Sequence, residues 1–461
     1  MKNETRIDDR HIDVIDGIRA MSVIIVLIFH FWQQTWIFPR INTPWLSFIK
    51  LGGRALTSID FTPFARVGYV FVDMMVLLSG FLLAVPLARH IFNGEPLESV
   101  GKFYKKRAVR ILPSYLFCIA VIFVYELING GYAVNGVTDV HYALRDLFTH
   151  LTFTHMMRVD TYVSTKLNTV LWTLAVEVWF YLLFPFIRFL VCGRKGRATG
   201  GEAAFRMTAA SAALIGLSHL YIYKYALANG SKTAAFIDGT LAKLGSTVHT
   251  GYFASVINQL PAFFGVYGIG MIGALAFVLM AKHLKRSRLT AAVSTVFAFA
   301  AIWLIVYMIK DCASLSVDSA QHWQVQNRMT LAAVFMFFIL TASLSARWFR
   351  SIFSNPVMRF LSAISYNLYI WHQWLCVKIK YDWRLPAWTG DTPPNQLGTP
   401  EGKAWSGWYA LIITVAAFAV AALVTYLIEK PAADMLNGRP SIYTGKLKKK
   451  KAERQSQASG K

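Results

Sequence analysis

Four ionisable side chains, His30, Asp73, Glu177 and His372, lie inside stretches of sequence that are otherwise apolar. A charge-capable group surrounded by hydrocarbon is costly, and where one persists it pairs, relays protons or meets a ligand. A neutral imidazole is suited to general-base work near pH 7, and a nearby carboxylate can orient it. Each residue also has a purely structural use. A histidine can cross-link helices through a backbone carbonyl. Asp73 precedes Ser79 and Gly80 on one helix, where a hydrogen bond and close packing serve stability. His372, beside Trp371 and Trp374, can belong to an interfacial aromatic belt.

The elements that must position these groups follow from composition. The 461-residue chain is 55% hydrophobic and 15% aromatic, with a mean hydropathy of +0.43. Runs of about 18 or more mostly apolar residues, each long enough to cross a bilayer, recur along its whole length. The pattern predicts an all-α, polytopic transmembrane helix bundle with no room for a large soluble domain. Ten spans are read at 18–38, 66–88, 108–128, 169–191, 206–226, 256–281, 290–310, 328–346, 358–378 and 406–428. The first continues into Trp32 and Trp36 without a small-residue cleavage site, so it is expected to remain as an anchor.

A net charge of +23 could point to nucleic acid, but the distribution points to topology. Alternate inter-span segments, starting from the N-terminus, carry about two-thirds of the 47 basic residues. Both termini are therefore expected on the cytoplasmic side. The run Lys446-Leu447-Lys448-Lys449-Lys450-Lys451 reads as a solvated stop signal or an anionic-lipid contact. The four cysteines form no CxxC pair, so neither a disulfide framework nor a metal site is expected. The long connections 39–65, 129–168, 227–255 and 379–405 are read as outer loops, either shaping a binding site or serving as spacers.

Counting helical rise from the span ends puts the four ionisable groups at one level, about 9–12 Å below the outer boundary. Arg19 precedes His30 by eleven residues, which is three turns plus about 20°. The two side chains therefore share a helix face, about 16 Å apart. An arginine at the cytoplasmic mouth suits a phosphate, and an extended arm of about 15 Å, the length of four or five residues, would reach the imidazole. Arg107 and Arg110, three apart at the mouth of the third span, project to one side and could extend the clamp or simply touch lipid headgroups.

Taken in order, these segments resemble a known family. Asp16-Gly17-Ile18-Arg19 with Phe29-His30, the run Val72 to Phe81, and the basic segment Arg107 to Tyr115 are similar to successive motifs of the acyltransferase-three family of integral membrane acyltransferases. So are Leu171 to Glu177 with Phe180-Tyr181 and Pro185, Ile364 to His372, and Glu429-Lys430-Pro431. The resemblance covers residues 16–431. It departs at Ala20, where glycine is common, at Val178, where a second acid is common, and at Gln373-Trp374, where proline is frequent.

The resemblance implies transfer of an acyl group, usually acetyl, from cytoplasmic acyl-CoA to a hydroxyl of a carbohydrate, glycolipid or related surface acceptor. It implies His30 as the catalytic residue, with Glu177 a required acid. Arg19, Arg107 and Arg110 are implied as the donor-binding set. Asp73 or Glu177 is expected to orient His30, and His372, Trp172 and Tyr181 are expected near the acceptor. No metal is expected. The implied organisation is a short N-terminal segment 1–17, a membrane-embedded acyltransferase domain 18–428 and a basic tail 429–461. No fused extracytoplasmic hydrolase-like domain is expected. Membrane lipids, acyl-CoA and the acceptor are the expected partners, nucleic acid is not, and the oligomeric state stays open. The expected location is the plasma membrane of a bacterium. A proton-coupled transporter is the competing class. Gly265, Gly268, Gly270 and Gly273 in the sixth span favour it, and the lack of an internal repeat disfavours it.

Overall fold

The computed structural model describes residues 12–439, apart from 49, 52–53, 56, 194–195, 197, 228–257 and 286. The tail lysines and nearly all of the connection expected at 227–255 lie outside the described residues.

Helices appear where the apolar runs require them. They are α1 (Asp13–Thr35), α2 (Thr62–Val67), α3 (Phe71–Asn93), α4 (Val100–Ile128), α5 (Val140–Leu151), α6 (Val159–Tyr162), α7 (Trp172–Cys192) and α8 (Gly200–Leu220). After the undescribed connection come α9 (Leu260–His283), α10 (Arg288–Ser314), α11 (Val317–Leu344), α12 (Arg347–Ser354), α13 (Pro356–Val377), α14 (Pro400–Val424) and α15 (Lys430–Leu436). Side-chain oxygens cap several starts: Ser99 accepts from Lys102 N, Ser287 from Thr290 N, and Asn355, just before Pro356, from Met358 N. Strand structure among the described residues is limited to three two-stranded antiparallel ladders in connections, such as Arg40–Asn42 with Ser58–Asp60.

Among the described residues, eight helical spans are long and apolar enough to cross a membrane. They include α1, α4, α7, α9 and α10 whole, together with Thr62–Asn93, Ser319–Leu344 and Pro400–Leu436. The two other expected spans are helical as well, α8 and α13, but more polar. The chain is a multi-pass membrane protein. The helices begin earlier than the hydropathy windows in several places: α1 starts at Asp13 and α11 at Val317.

One apolar core joins the long helices. Helices α3 and α9 pack closely along their length. A methyl added to Gly270 would lie 2.8 Å from Leu77 O, and one added to Gly80 would lie 3.1 Å from the Tyr267 backbone. Small residues on both helices let the backbones touch. The glycines of the sixth span are thus packing residues, and they do not break the helix that a carrier would unwind. Helix α3 also packs against α1, which packs against α13 as well. Gly17 lets α1 meet α12, where an added methyl would collide with the Phe353 carbonyl. Asp16 accepts from Ser362 Oγ at 3.2 Å, and Asp13 pairs with Arg350 at 3.0 Å. The Asp-Gly-Ile-Arg segment therefore fixes the position of α1 as well as bearing Arg19.

The connection expected at 129–168 as an outer loop is a hairpin folded back among the long helices. Its helix α5 ends beside the middle of α4, where Tyr115 OH donates to His150 O at 2.8 Å. The following turn reaches α7, where Trp179 Nε1 donates to Phe153 O at 2.9 Å. Val140, Leu144, Phe148 and Leu151 form an exposed apolar stripe, while Asp146 and His150 point inward and are fully buried. Sequence reasoning misses this because the helix is short and its polar face is the protein-facing one. Irregular backbone at such depth is tolerated where protein covers it.

Candidate active site

The site lies between α1, α3, α7, α11 and α13 and consists of two chambers. The smaller, about 70 Å³, is lined by Arg19 of α1, Ser79 of α3, Arg110 of α4, and Glu177 of α7. The larger, about 300 Å³, is lined by His30 and Trp32 at the far end of α1, by Arg66 and Tyr69, by Trp172, and by Gln321 and Gln324 of α11. Val72 and Tyr369 line both chambers, so the two meet at this pair. Arg19 and His30, eleven residues apart, face the two chambers from one side of one helix, as their spacing predicts.

In the smaller chamber Glu177 is held by α3 and by its own helix. Ser79 Oγ donates to Glu177 Oε1 at 2.6 Å, and Tyr181 OH donates to the same oxygen. Arg110 lines the chamber, whereas Arg107 packs its guanidinium over the rings of Phe103 and Tyr181, 5.5 and 5.4 Å from their centres. The two arginines of the basic segment thus take different positions, Arg110 in the cavity and Arg107 one turn away against Tyr181. Glu429 lies near the same end and accepts from Asn367 Nδ2 at 2.6 Å and Ser114 Oγ at 3.4 Å. It joins α4, α13 and the chain following α14.

In the larger chamber the aromatic side chains Phe29, Tyr69 and Trp172 face amides from α1 and α11. Trp32 Nε1 and Gln321 Oε1 are buried without a hydrogen-bond partner among the described residues. Buried polar atoms are normally satisfied, which leaves these two available to a polar ligand or to water. His30 Nδ1 lies 3.0 Å from Val26 O and 3.1 Å from His372 Nε2. The two imidazoles meet edge-on, with centres 4.8 Å apart.

The expectation that Asp73 or Glu177 orients His30 does not match this geometry. Asp73 is fully buried and paired with Arg328 of α11 at 3.2 Å, with Gln324 Nε2 donating to its other oxygen at 3.2 Å. Arg328 also stacks on Phe263, 4.2 Å from the ring centre. Glu177 is engaged at the smaller chamber, and the group that contacts His30 is His372. Of the three residues expected near an acceptor, Trp172 lines the larger chamber, His372 stands behind His30, and Tyr181 sits at the opposite end beside Glu177. Among the described residues there is no group of three or more His, Cys, Asp or Glu arranged to hold a metal ion.

Sequence reasoning misses Arg328 and Tyr369. Hydropathy puts Arg328 at the boundary of the eighth span, whereas it lies eleven residues inside α11, about 16 Å along its axis. The signal that could have found it is Asp73 itself, since a carboxylate at that depth requires a cation.

The chain is similar in sequence to known proteins. A Staphylococcus aureus (strain COL) protein named "Putative O-acetyltransferase" is 23% identical over 374 residues, 79% of this chain and 50% of that relative. The "O-acetyltransferase OatA" of Staphylococcus aureus (strain NCTC 8325 / PS 47) is 26% identical over 182 residues, 39% of this chain and 25% of that one. The chain spans about half the length of the first of these curated relatives. No solved structure matches the chain. Residues 12–429 match the model of an acyltransferase domain, and the chain belongs to that family, the acyltransferase-three proteins.

Proposed function

We propose that the chain transfers an acyl group, acetyl in the first instance, from acyl-CoA to a hydroxyl of a carbohydrate or glycolipid acceptor. The observation that carries this reading is the pair of chambers meeting at Val72 and Tyr369, with Arg19 and Arg110 lining one and His30 lining the other. The smaller chamber combines two guanidinium groups with Glu177, whereas the larger sets aromatic faces and amides beside Arg66. Guanidinium groups suit the phosphates of the donor. Aromatic faces and amides suit a polyhydroxylated acceptor. The excess of basic residues in alternate segments supports a cytoplasmic position for the arginine end, where acyl-CoA is found.

In this mechanism the donor phosphates sit at Arg19 and Arg110, with Arg107 beside them. The extended arm, about 15 Å long, runs along α1 past Val72 and Tyr369 and brings the thioester to His30. His30 takes the proton of the acceptor hydroxyl, and the oxygen attacks the thioester carbonyl carbon. The carbon–sulfur bond then breaks, and the thiolate takes the proton back from His30 and leaves as coenzyme A. Trp172 and the amides of α11 hold the acceptor. Val72 and Tyr369, which border both chambers, would limit water at the thioester.

The test is transfer of label from acetyl-CoA in membranes containing the protein, with surface glycans examined by mass spectrometry. His30→Ala is expected to abolish transfer. Full transfer in that variant, or uptake of a solute independent of acyl-CoA, would overturn the reading.

A further inference from the structure

The proposed reaction needs one nitrogen of His30 bare and facing the acceptor, and the role of its neighbour His372 rests on that reading. The hydrogen bonds decide which nitrogen it is. His372 Nδ1 lies 2.7 Å from Tyr369 O and 3.1 Å from Leu368 O. Carbonyl oxygens only accept, so this nitrogen carries a hydrogen. In a neutral imidazole the other nitrogen is then an acceptor. His372 Nε2 stands 3.1 Å from His30 Nδ1, which is 3.0 Å from Val26 O. Two acceptors therefore face His30 Nδ1, and all contacts are satisfied only when that nitrogen carries a hydrogen. His30 Nε2 keeps its lone pair, on a ring that lines the larger chamber.

The opposite assignment fails on the same contacts. A bare His30 Nδ1 would set its lone pair against the Val26 carbonyl. His372 would then need hydrogens on both nitrogens. It is 1% exposed, and no carboxylate bonds to it among the described residues.

We propose that His372 is the positioning residue that fixes His30 in the Nδ1–H tautomer and aims its bare Nε2 at the acceptor hydroxyl. It does for His30 what a buried carboxylate does for the base of a serine-type triad, with a neutral ring in place of a charge. A neutral partner avoids the desolvation of an isolated carboxylate at this depth. The bond it accepts strengthens as His30 takes up the acceptor proton, because a hydrogen bond from a charged donor is the stronger one. During transfer the hydroxyl proton goes to His30 Nε2, the new carbon–oxygen bond forms, and the carbon–sulfur bond breaks. The proton leaves Nε2 with the departing thiolate. His372 gains and loses no proton over the cycle. The two carboxylates that could have served are committed elsewhere, Asp73 to Arg328 and Glu177 to Ser79 and Tyr181.

The experiment compares His372→Phe and His372→Gln with the unaltered protein, using labelled acetyl-CoA and the native membrane acceptor. Phenylalanine keeps ring volume without an acceptor, whereas the glutamine amide oxygen can accept. The expected result for His372→Phe is a fall in kcat of about 10- to 100-fold, in line with lost orienting partners of other histidines. KM for acetyl-CoA is expected to stay within about threefold, the mark of an interaction made in the transition state. His372→Gln is expected to recover most of kcat. Unchanged kcat in the Phe variant would overturn the proposal, and so would a rise in KM alone. Loss in both variants as complete as in His30→Ala would make His372 the reacting base and would also overturn it. His30→Ala runs alongside: full activity there overturns the underlying reading, which separates the two failures. Nitrogen-15 spectra of histidine-labelled unaltered protein give a check independent of variant folding. A protonated His30 Nδ1 with bare Nε2 is expected, and the reverse tautomer overturns the proposal.

Discussion

Asp73 Oδ1 lies 3.2 Å from Arg328 Nε, and neither side chain has exposed surface. The pair joins α3 to α11 behind the larger chamber, whose lining includes Gln324, which donates to Asp73 from the same helix as Arg328. A buried pair of this kind adds little over an apolar replacement, but removing one partner leaves an uncompensated charge. Asp73→Asn or Arg328→Met alone is expected to cost about 3–5 kcal/mol of stability. The double substitution is expected to recover more than half of that, together with activity per folded molecule. Melting in detergent and a double-mutant cycle measure both. A stable but inactive Asp73→Asn protein would instead put Asp73 at the reacting atoms.

This pair shows how far the sequence could be read. Asp73, His30, Glu177 and His372 stand out because each is ionisable within an apolar run, and the ten long helices among the described residues follow from the runs themselves. Partners are another matter. His30 and His372 are far apart in sequence and matched only in depth, and depth is equally consistent with an Asp73–His30 or Glu177–His30 pair. Glu177, on α7, lies in the other chamber with Arg19, and which of the remaining pairs forms depends on the rotation of α1, α3 and α13 about their axes. That rotation is set by contacts such as Gly17 against Phe353 and Gly270 against Leu77, which leave no periodic signal. Arg328 is hidden because hydropathy windows end at a charge, and the α5 hairpin because a 12-residue helix is too short to register as a span.

Asp146 fastens that hairpin. Its carboxylate accepts from Tyr132 OH at 2.9 Å, Thr165 Oγ1 at 2.9 Å and Lys166 N at 3.1 Å, with His150 Nδ1 3.2 Å away. Asp146→Ala would leave several buried donors unpaired, each costing about 1–3 kcal/mol. The expected outcome is a clear loss of melting temperature and faster protease cleavage within 129–168, with acetyl-CoA binding at the arginine end retained in the folded fraction. Unchanged protease resistance would show that the hairpin is held by its apolar contacts alone.

Stability is expected to depend on pH through Lys380, just beyond the end of α13. Its ammonium donates to Gln34 O at 2.8 Å, and burial pushes its pKa down to about 8 from the ordinary 10.5. Between those two values the unfolded chain binds more protons than the folded one, so stability rises as pH rises through the window. Below about pH 8 this contribution is lost, because the folded lysine must then carry its charge in a desolvated position. Subtracting the melting curve of Lys380→Met from that of the unaltered protein isolates the effect between about pH 8 and 10.5. A flat difference would mean that the ammonium stays charged and hydrated.

The meeting of the two chambers at Val72 and Tyr369 makes the route of the thioester testable apart from the chemistry. Val72 is 6% exposed and its branched side chain leaves little slack. Val72→Phe adds bulk where the donor arm must pass and leaves Arg19 and Arg110 untouched. Coenzyme A itself is then expected to bind within about threefold of its normal affinity, since its phosphates meet the same guanidiniums. Transfer is expected to fall about 100-fold or more, because the thioester no longer reaches near-attack distance of His30. Overpacking costs about 1–3 kcal/mol, so Val72→Ala serves as the companion variant. It keeps the passage open and is expected to retain transfer. If Val72→Phe binds coenzyme A and still transfers acetyl at the normal rate, the donor reaches His30 by another route, and the line from Arg19 along α1 is not the path of the arm.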